Sequence, residues 1–252
     1  MKKLTRNKVL KPRLPQNSNI KLIGLGGVGS IVARYVSLFT ASTHTNARMV
    51  LIDGDKFEPS NSSRMLFGST GNKAAVIQRE LKPRFTQSKL SVIAIKEYIK
   101  PENIKTLIRS GDIVLLCVDN HATRKLVDDH CAKLRDICLI SGGNDGVGKD
   151  SPGATRRGTY GNVQITVRRK GRNRSPGLQQ YHPEIRNPAD KLPHELNCTE
   201  LIASKPQILF SNLAVASAIS NALLLYLSND LHYAEASFDI AEALMRPTIP
   251  IK

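Results

Sequence analysis

Apolar runs and helix-like stretches alternate along the first part of this chain. The run IKLIG at 20–24 leads into IVARYVSLF at 31–39, where apolar residues recur at helical spacing. Further short apolar runs end in polar residues or glycine: MVLID at 49–53, IVLLCV at 113–118 and ICLISGG at 137–143. Strands that alternate with helices favour an α/β fold with a mostly parallel sheet.

The second half departs from this alternation. Val163, Ile165 and Val167 alternate with polar residues, which predicts a strand that ends in a basic turn. Residues 171–200 are polar and rich in proline, and 206–228 predict a helix that is apolar on nearly every side, buried in the core or in a dimer interface. The tail predicts one or two strands. We therefore expect a Rossmann-like, mostly parallel sheet with flanking helices and a C-terminal antiparallel extension.

A chain of 252 residues is long enough to bury the core of one such domain. We divide it into a basic N-terminal arm at 1–19, a nucleotide-binding region at 20–145, and a region at 146–252 that completes the same domain with a strand, a crossover loop and the long helix.

A glycine-rich loop joins the first predicted strand and helix. Gly24, Gly26 and Gly29 form G-x-G-x-x-G, in which glycine permits a tight turn and lets backbone N–H groups approach a phosphate at the helix N-terminus. Asp53 ends the second strand at about the 20-residue offset expected of an acid that binds ribose. These features predict a Rossmann-like nucleotide site.

Charged residues downstream extend this site. Arg64 and Lys73 are suited to a triphosphate, and Asp119 and Asn120 follow a buried strand, where an acid is well placed to hold Mg²⁺. Other readings stay open: a dinucleotide site, a solvated basic face for Arg64 and Lys73, and Asp119 as a simple helix cap.

Five ordered motifs over roughly residues 20–143 resemble the ThiF/MoeB/HesA superfamily of adenylyltransferases. They are G-x-G-G-x-G-S at 24–30, D-x-D at 53–55, N-x-x-R at 61–64, G-x-K at 71–73 and C-x-D-N-x-x-x-R at 117–124. The resemblance implies attack of a carboxylate on the α-phosphate of ATP, which gives an acyl-adenylate and pyrophosphate. A carboxylate is already ionised at neutral pH, so no general base is required.

The resemblance also assigns roles to residues of this chain. It implies that Asp53 binds ribose, that Asn61, Arg64 and Lys73 contact phosphates, and that Asp119 binds Mg²⁺. The expected nucleotide-binding set is Gly24, Gly26, Gly27, Gly29, Ser30, Asp53, Asp55, Asn61, Arg64, Lys73, Asp119 and Asn120. The expected catalytic set is Arg64, Lys73, Asp119 and Cys198, and a partner subunit would supply one more arginine, with Arg6 and Arg13 as candidates.

The four cysteines lack the paired C-x-x-C spacing of the structural zinc that many relatives carry, so we expect no such zinc. Cys117 and Cys138 lie in apolar strands and are expected in the core. Cys198 follows a polar loop, near His194 and a predicted helix N-terminus, which favour a reactive thiol. By resemblance it is a candidate thioester acceptor, the alternative being a structural cysteine.

The chain carries a net charge of +16, concentrated at 1–13 and 156–174. Such a surface favours an acidic partner or nucleic acid. Few aromatic residues lie among these charges, so a base-stacking platform is poorly supported. No apolar run is expected to span a bilayer, and the basic N-terminus precedes polar residues, so we expect a cytoplasmic protein without a membrane partner.

Three functions remain. The first is an ATP- and Mg²⁺-dependent adenylyltransferase that activates the C-terminal carboxylate of a ubiquitin-like or sulfur-carrier protein. The second applies the same chemistry to a tRNA carboxylate, as in a dehydratase. The third is a scaffold that binds ATP without turnover. By resemblance we expect a homodimer, and the helix at 206–228 offers a self-complementary surface.

Overall fold

The computed structural model describes residues 9–62, 65–149, 153, 155–196 and 207–250. The helices are α1 Gly27–Ser42, α2 Lys73–Leu81, α3 Ile104–Leu107, α4 His121–Cys131, α5 Pro183–Arg186 and α6 Leu209–Leu227. The strands are β1 Ser18–Ile23, β2 Ala47–Ile52, β3 Lys56–Phe57, β4 Gly71–Asn72, β5 Leu90–Ile95, β6 Ile113–Leu116, β7 Ile137–Asn144, β8 Val147–Lys149, β9 Thr155–Arg157, β10 Tyr160–Arg169, β11 Arg172–Asn173, β12 Tyr233–Asp239 and β13 Leu244–Pro250.

One large sheet organises the chain, with the strand order β13-β12-β10-β7-β6-β1-β2-β5. The five strands from β7 to β5 are parallel, and β10, β12 and β13 pair antiparallel beside them. The chain runs outward from β1 towards β5 and then restarts at β6 on the other side. This reversal leaves a crevice at the carboxyl ends of β1 and β6, where α/β folds bind ligands. The predicted fold class, including the antiparallel extension, is confirmed; the three-region division stays a prediction.

Alternate residues of the central strands face two different apolar layers, because side chains alternate across a strand. Met49 and Leu51 of β2 contact a cluster that includes residues of α1, α2 and α6. Val50 and Ile52 face a second cluster that includes residues of α3, α4 and α5. The parallel sheet is therefore covered on both faces, which explains why its strands read as nearly continuous apolar runs.

The long helix α6 packs against α1, β7 and β10. By length and composition its 19 residues, with a mean hydropathy of 1.5, would suffice to cross a bilayer. The expectation that no apolar run reaches that length is therefore wrong for this segment. Val215, Ile219 and Leu223 are fully or almost fully buried in the sheet-facing core. Leu209, Phe210 and Leu213 near the start of α6 are exposed, so this packing accounts for the apolar character of one side of the helix.

Candidate functional site

The glycine loop lies between the carboxyl ends of three strands. Gly24 has a φ of +84° and donates its N–H to the Ile52 carbonyl at 3.0 Å, which ties the loop to β2. A Cβ at Gly29 would overlap the Gly24 carbonyl oxygen, so only glycine fits where α1 starts. Gly26 is the N-cap of α1, and its missing side chain leaves the first N–H groups of the helix open to an anion.

Two more residues of the predicted loop set, Gly27 and Ser30, lie at this turn. Gly27 is the first residue of α1 and packs closely against Asn212 of α6. Ser30 is buried, and its hydroxyl points to the Gly27 carbonyl at 3.4 Å. The structure therefore gives Ser30 a contact within the helix, and its predicted part in nucleotide binding stays a prediction.

Asp53 is buried at the end of β2, with 8% of its surface exposed. Its carboxylate accepts hydrogen bonds from the N–H of Leu25 at 2.6 Å and of Asp55 at 2.8 Å. Burial raises the pKa of Asp53, while Lys73 and the two N–H donors oppose that rise. Asp53 thus locks the glycine loop against the segment that follows β2. Each oxygen retains a lone pair for a further donor, such as a ribose hydroxyl.

Lys73 begins α2, and its ammonium forms an ion pair with the Asp55 carboxylate. The Lys73 side chain is 10% exposed and that of Asp55 50% exposed, so solvent reaches the pair mainly at the Asp55 carboxylate. Asn72 fixes this arrangement, because its Nδ2 donates to the Asp53 carbonyl at 2.8 Å while its Oδ1 accepts from the Ala75 N–H. The sequence-predicted residues Asp53, Asp55 and Lys73 therefore lie together.

Asn61 ends a short 3₁₀ helix, Pro59–Asn61, and its Oδ1 accepts from the Glu58 N–H at 3.3 Å. Arg64, the other member of the predicted N-x-x-R motif, lies outside the described residues. Its predicted contact with the phosphates therefore stays a prediction.

Asp119 is exposed just beyond β6, at the same edge of the sheet as the glycine loop. Asn120, not Asp119, is the N-cap of α4, since its Oδ1 accepts from the Thr123 N–H at 2.8 Å. Asp190, from the long polar segment, accepts from the N–H groups of His121 and Ala122 at 2.8 Å each. With capping supplied by other residues, the Asp119 carboxylate remains available to a ligand.

Tyr98 is a site residue that sequence reasoning missed. Tyr98 lies in the loop after β5. Strand β5 pairs with β2, and just after β2 the Asp53 N–H donates to the Ile95 carbonyl of β5 at 3.1 Å. The Tyr98 ring lies so close to Gly54 that a Cβ there would come within 2.6 Å of it. Burial, and then the charges of the site carboxylates, raise the pKa of Tyr98. No spacing rule links Tyr98 to the motifs, so no sequence signal could have found it.

The profile of the ThiF family matches residues 14–245. The chain belongs to the ThiF family. It is 31% identical over 134 residues to the Drosophila yakuba adenylyltransferase and sulfurtransferase MOCS3, covering 50% of this chain and 27% of that protein. It is 29% identical over 120 residues to the Escherichia coli sulfur carrier protein ThiS adenylyltransferase, covering 47% and 46%. The chain thus spans less than half the length of these relatives.

Solved structures share the fold of this ThiF-family chain. The crystal structure of E. coli MccB with ATP has a TM-score of 0.66 at 18% identity, and the match covers 94% of this chain and 64% of MccB. At this identity the likeness shows the fold alone. The predicted membership of the superfamily is confirmed.

The predicted core cysteines are confirmed for this ThiF-family member. Cys117 and Cys138 are buried and unpaired as predicted, and burial raises the pKa of the Cys117 thiol to about 12. Cys131, for which no environment was predicted, is buried and unpaired as well. Cys198, the candidate thioester acceptor, lies outside the described residues. His194 is exposed in a 3₁₀ turn.

Of the two candidate arginines for a partner subunit's site, Arg6 lies outside the described residues. Arg13 donates its backbone N–H to the Leu227 carbonyl at 2.9 Å, at the C-terminal end of α6. The N-terminal end of α6 contacts Gly158, before β10 and near the carboxyl edge of the parallel strands. Arg13 therefore lies away from the site of its own chain.

Proposed function

We propose that this chain is an ATP-dependent adenylyltransferase that activates the C-terminal carboxylate of a ubiquitin-like or sulfur-carrier protein. The Lys73–Asp55 pair beside the buried Asp53 carries the proposal. A dinucleotide needs no such cation next to its ribose acid, whereas a triphosphate gains from one. The names of the ThiS adenylyltransferase and MOCS3 relatives support the same chemistry.

The proposed reaction is the adenylation that the family resemblance implies, carried out at this edge of the sheet. The nucleotide phosphates lie at the N-terminus of α1, and the partner's carboxylate oxygen attacks the α-phosphorus. The bond from the α-phosphorus to the oxygen bridging to the β-phosphate breaks, and pyrophosphate leaves. Lys73 stabilises negative charge on the leaving group, and Arg64 is proposed to assist it. The protein contributes alignment and charge neutralisation, because the nucleophile is already ionised.

We propose Mg²⁺ as a further component. Among the described residues no group of three or more His, Cys, Asp or Glu side chains could hold a metal alone. Asp119 supplies one exposed carboxylate, and Mg²⁺ in nucleotide sites needs only one or two carboxylates, the remaining ligands being phosphates and water. Asp119 therefore fits such an ion when phosphates and water supply the remaining ligands. When bound, the ion would neutralise charge on the phosphates.

Mass spectrometry tests the proposal. A carrier protein that ends in Gly-Gly, incubated with this chain and ATP, should gain the mass of an adenylyl group, while the same carrier with an amidated C-terminus should stay unmodified. Release of ADP and phosphate in place of pyrophosphate would contradict the proposal. ATP binding with no adduct on any carboxylate would favour a non-catalytic scaffold.

The proposal extends to features that the described contacts leave open. Cys198 is proposed to accept the acyl group as a thioester, and the active form is proposed to be a cytoplasmic homodimer. A Cys198→Ala variant that still forms the adenylate, but no longer forms the carrier adduct that an added thiol cleaves by exchange, would agree with the thioester. Light scattering tests the dimer, since a monomer would also remove any arginine supplied by a partner subunit.

A second candidate, RNA as the carboxylate carrier, is favoured by a basic hairpin. The turn between β10 and β11 has positive φ at Lys170 and Gly171, 53° and 76°, and the Gly171 N–H bonds the Arg135 carbonyl at 2.7 Å. The exposed basic residues around it are Arg135, Arg169, Lys170, Arg172 and Arg174. Each phosphate that they neutralise would release counterions, so binding of tRNA should weaken steeply with salt. An affinity for tRNA that does not change with salt concentration would argue against RNA as the carrier.

A further inference from the structure

Arg124 is a buried cation with only neutral partners. It lies in the second turn of α4 with 6% of its surface exposed. Its Nη1 donates to the Ser141 hydroxyl at 2.8 Å, and its Nη2 donates to the carbonyls of Val118 at 2.8 Å and Gly142 at 3.1 Å. Burial lowers the pKa of Arg124, but a guanidinium stays protonated in proteins.

Burial of the Arg124 guanidinium lowers the stability of the folded state. Within the described part of the chain no carboxylate pairs with the Arg124 guanidinium, and its Nε has no hydrogen-bond partner. The carboxylates of Asp119, Asp190 and Glu184 favour the charged form of Arg124 without a direct ion pair among the described residues. The buried guanidinium therefore loses hydration that its neutral acceptors only partly replace. Packing alone therefore does not explain why a charged side chain occupies this buried position.

The three acceptors of Arg124 lie where two parallel strands end. Val118 directly precedes Asp119 beyond β6, while Ser141 pairs in register with Leu116 near the end of β7. The planar Arg124 guanidinium thus links Val118, just beyond β6, to residues in the second half of β7. A lysine ammonium would not reproduce this geometry. A side chain at position 143 would collide with the Arg124 Nη2, so the glycine in β7 makes room for the guanidinium.

We propose that Arg124 is a positioning residue that fixes the peptide before Asp119, so that the Asp119 carboxylate faces the metal-bound nucleotide. The peptides after Asp119 are already held, because Asn120 caps α4 and Asp190 accepts from the N–H groups of its first turn. Arg124 supplies the matching constraint on the preceding side. This role rests on the proposed function and deepens it, since it concerns how the same site holds its ion.

The test measures metal binding without turnover. Mn²⁺, replacing Mg²⁺, is titrated by electron paramagnetic resonance into protein saturated with a non-hydrolysable ATP analogue, for wild type, Asp119→Asn, Arg124→Lys and the double variant. Each single variant should bind Mn²⁺ about tenfold more weakly or worse, as expected when a group that orients a metal ligand is lost. Because Arg124 acts through Asp119, the double variant should bind no more weakly than Asp119→Asn alone.

A merely structural role predicts a different result. The two effects would then multiply in the double variant, or Arg124→Lys would bind Mn²⁺ as wild type does, and either outcome would overturn the proposal. Arg168→Lys is the matched control: Arg168 also bonds backbone carbonyls, of Leu134 and Gly171, at the opposite edge of the sheet, and should leave Mn²⁺ binding unchanged.

A milder variant covers the case in which Arg124→Lys does not fold. Ser141→Ala removes one of the three acceptors and should weaken Mn²⁺ binding about threefold, an effect that should vanish in the Asp119→Asn background. Wild-type binding by Ser141→Ala, or an undiminished effect in that background, would overturn the proposal. A wild-type protein that binds no ATP analogue would refute the proposed function as well.

Discussion

Substitution by alanine should have very different effects at two glycines of the same loop, Gly29 and Gly26. At Gly29 an alanine Cβ would overlap the Gly24 carbonyl oxygen, and would lie 2.9 Å from that carbonyl carbon and 3.2 Å from the Cys117 Cβ. At Gly26 the nearest atom is the Met65 Cε at 3.7 Å, an ordinary contact. The Gly24 and Cys117 backbones are pinned by hydrogen bonds of 3.0 and 2.8 Å to neighbouring strands, so they cannot easily move away.

The magnitude follows from these contacts. Overpacking typically costs about 1–3 kcal/mol and occasionally more, and this site lies at the upper end because the backbone cannot easily move, so Gly29→Ala should lower the free energy of unfolding by about 3 kcal/mol. Gly26 has φ −71°, which alanine adopts readily. Loss of N-cap preference and of unfolded-chain entropy oppose each other there, so Gly26→Ala should change stability by less than about 1 kcal/mol.

Urea unfolding followed by far-ultraviolet circular dichroism measures both variants, since the chain contains no tryptophan. Calorimetric titration with ATP adds a second readout. Gly29→Ala should lose ATP binding even where it is folded, because its strain shifts the N-terminus of α1. If Gly29→Ala were as stable as Gly26→Ala and bound ATP as well, the described geometry of the loop would be wrong.

Three further predictions concern single side chains. Lys73→Met should weaken ATP binding about ten- to a hundredfold and leave adenosine binding nearly unchanged, because it removes the charge beside Asp55; equal losses for both ligands in calorimetry would refute a phosphate contact. Tyr98→Ala should weaken binding of both ATP and adenosine about tenfold by removing a stacking surface, whereas Tyr98→Phe should bind normally; wild-type affinity in Tyr98→Ala would exclude the ring from the site. His182, just before α5, bonds the carboxylate of Glu235 in β12 through its Nε2 at 2.9 Å, and this hydrogen bond raises the pKa of His182. The charged His182–Glu235 pair therefore stabilises the fold fully below the ordinary pKa near 6.5, and this stabilisation is lost as pH rises through the raised pKa. His182→Gln should therefore lower the melting temperature more at pH 6 than at pH 9, and an equal loss at both would contradict this reasoning.

Local motifs were predictable from the sequence because their physics is local. The glycine loop needs glycine for its turn and for the close approach at Gly29, and Asp53 follows at the end of the next strand. The carboxyl ends of parallel strands share one edge, which is why Asp119 was expected beside the loop. The strand that ends in a basic turn and the strands of the tail are also observed, as β10, β12 and β13.

The missed features come from contacts between distant segments. Asp190 bonds N–H groups 68 and 69 residues away in the chain, and Tyr98 meets Gly54 only because β5 pairs with β2. No spacing rule encodes either contact. The long apolar helix predicted at 206–228 is observed as α6, Leu209–Leu227. Only the expectation that no apolar run could span a bilayer was wrong, because a helix that is apolar on all sides has the same composition in a protein core and in a bilayer, and only its packing separates the two.

Pyrophosphate exchange tests the central claim, adenylation of a carboxylate at this edge of the sheet, most directly. Labelled pyrophosphate should enter ATP only when the chain, ATP, Mg²⁺ and a carrier with a free C-terminal carboxylate are all present, and Lys73→Met should slow the exchange strongly. Exchange that proceeds equally with an amidated carrier, or that Lys73→Met leaves at the wild-type rate, would contradict the account.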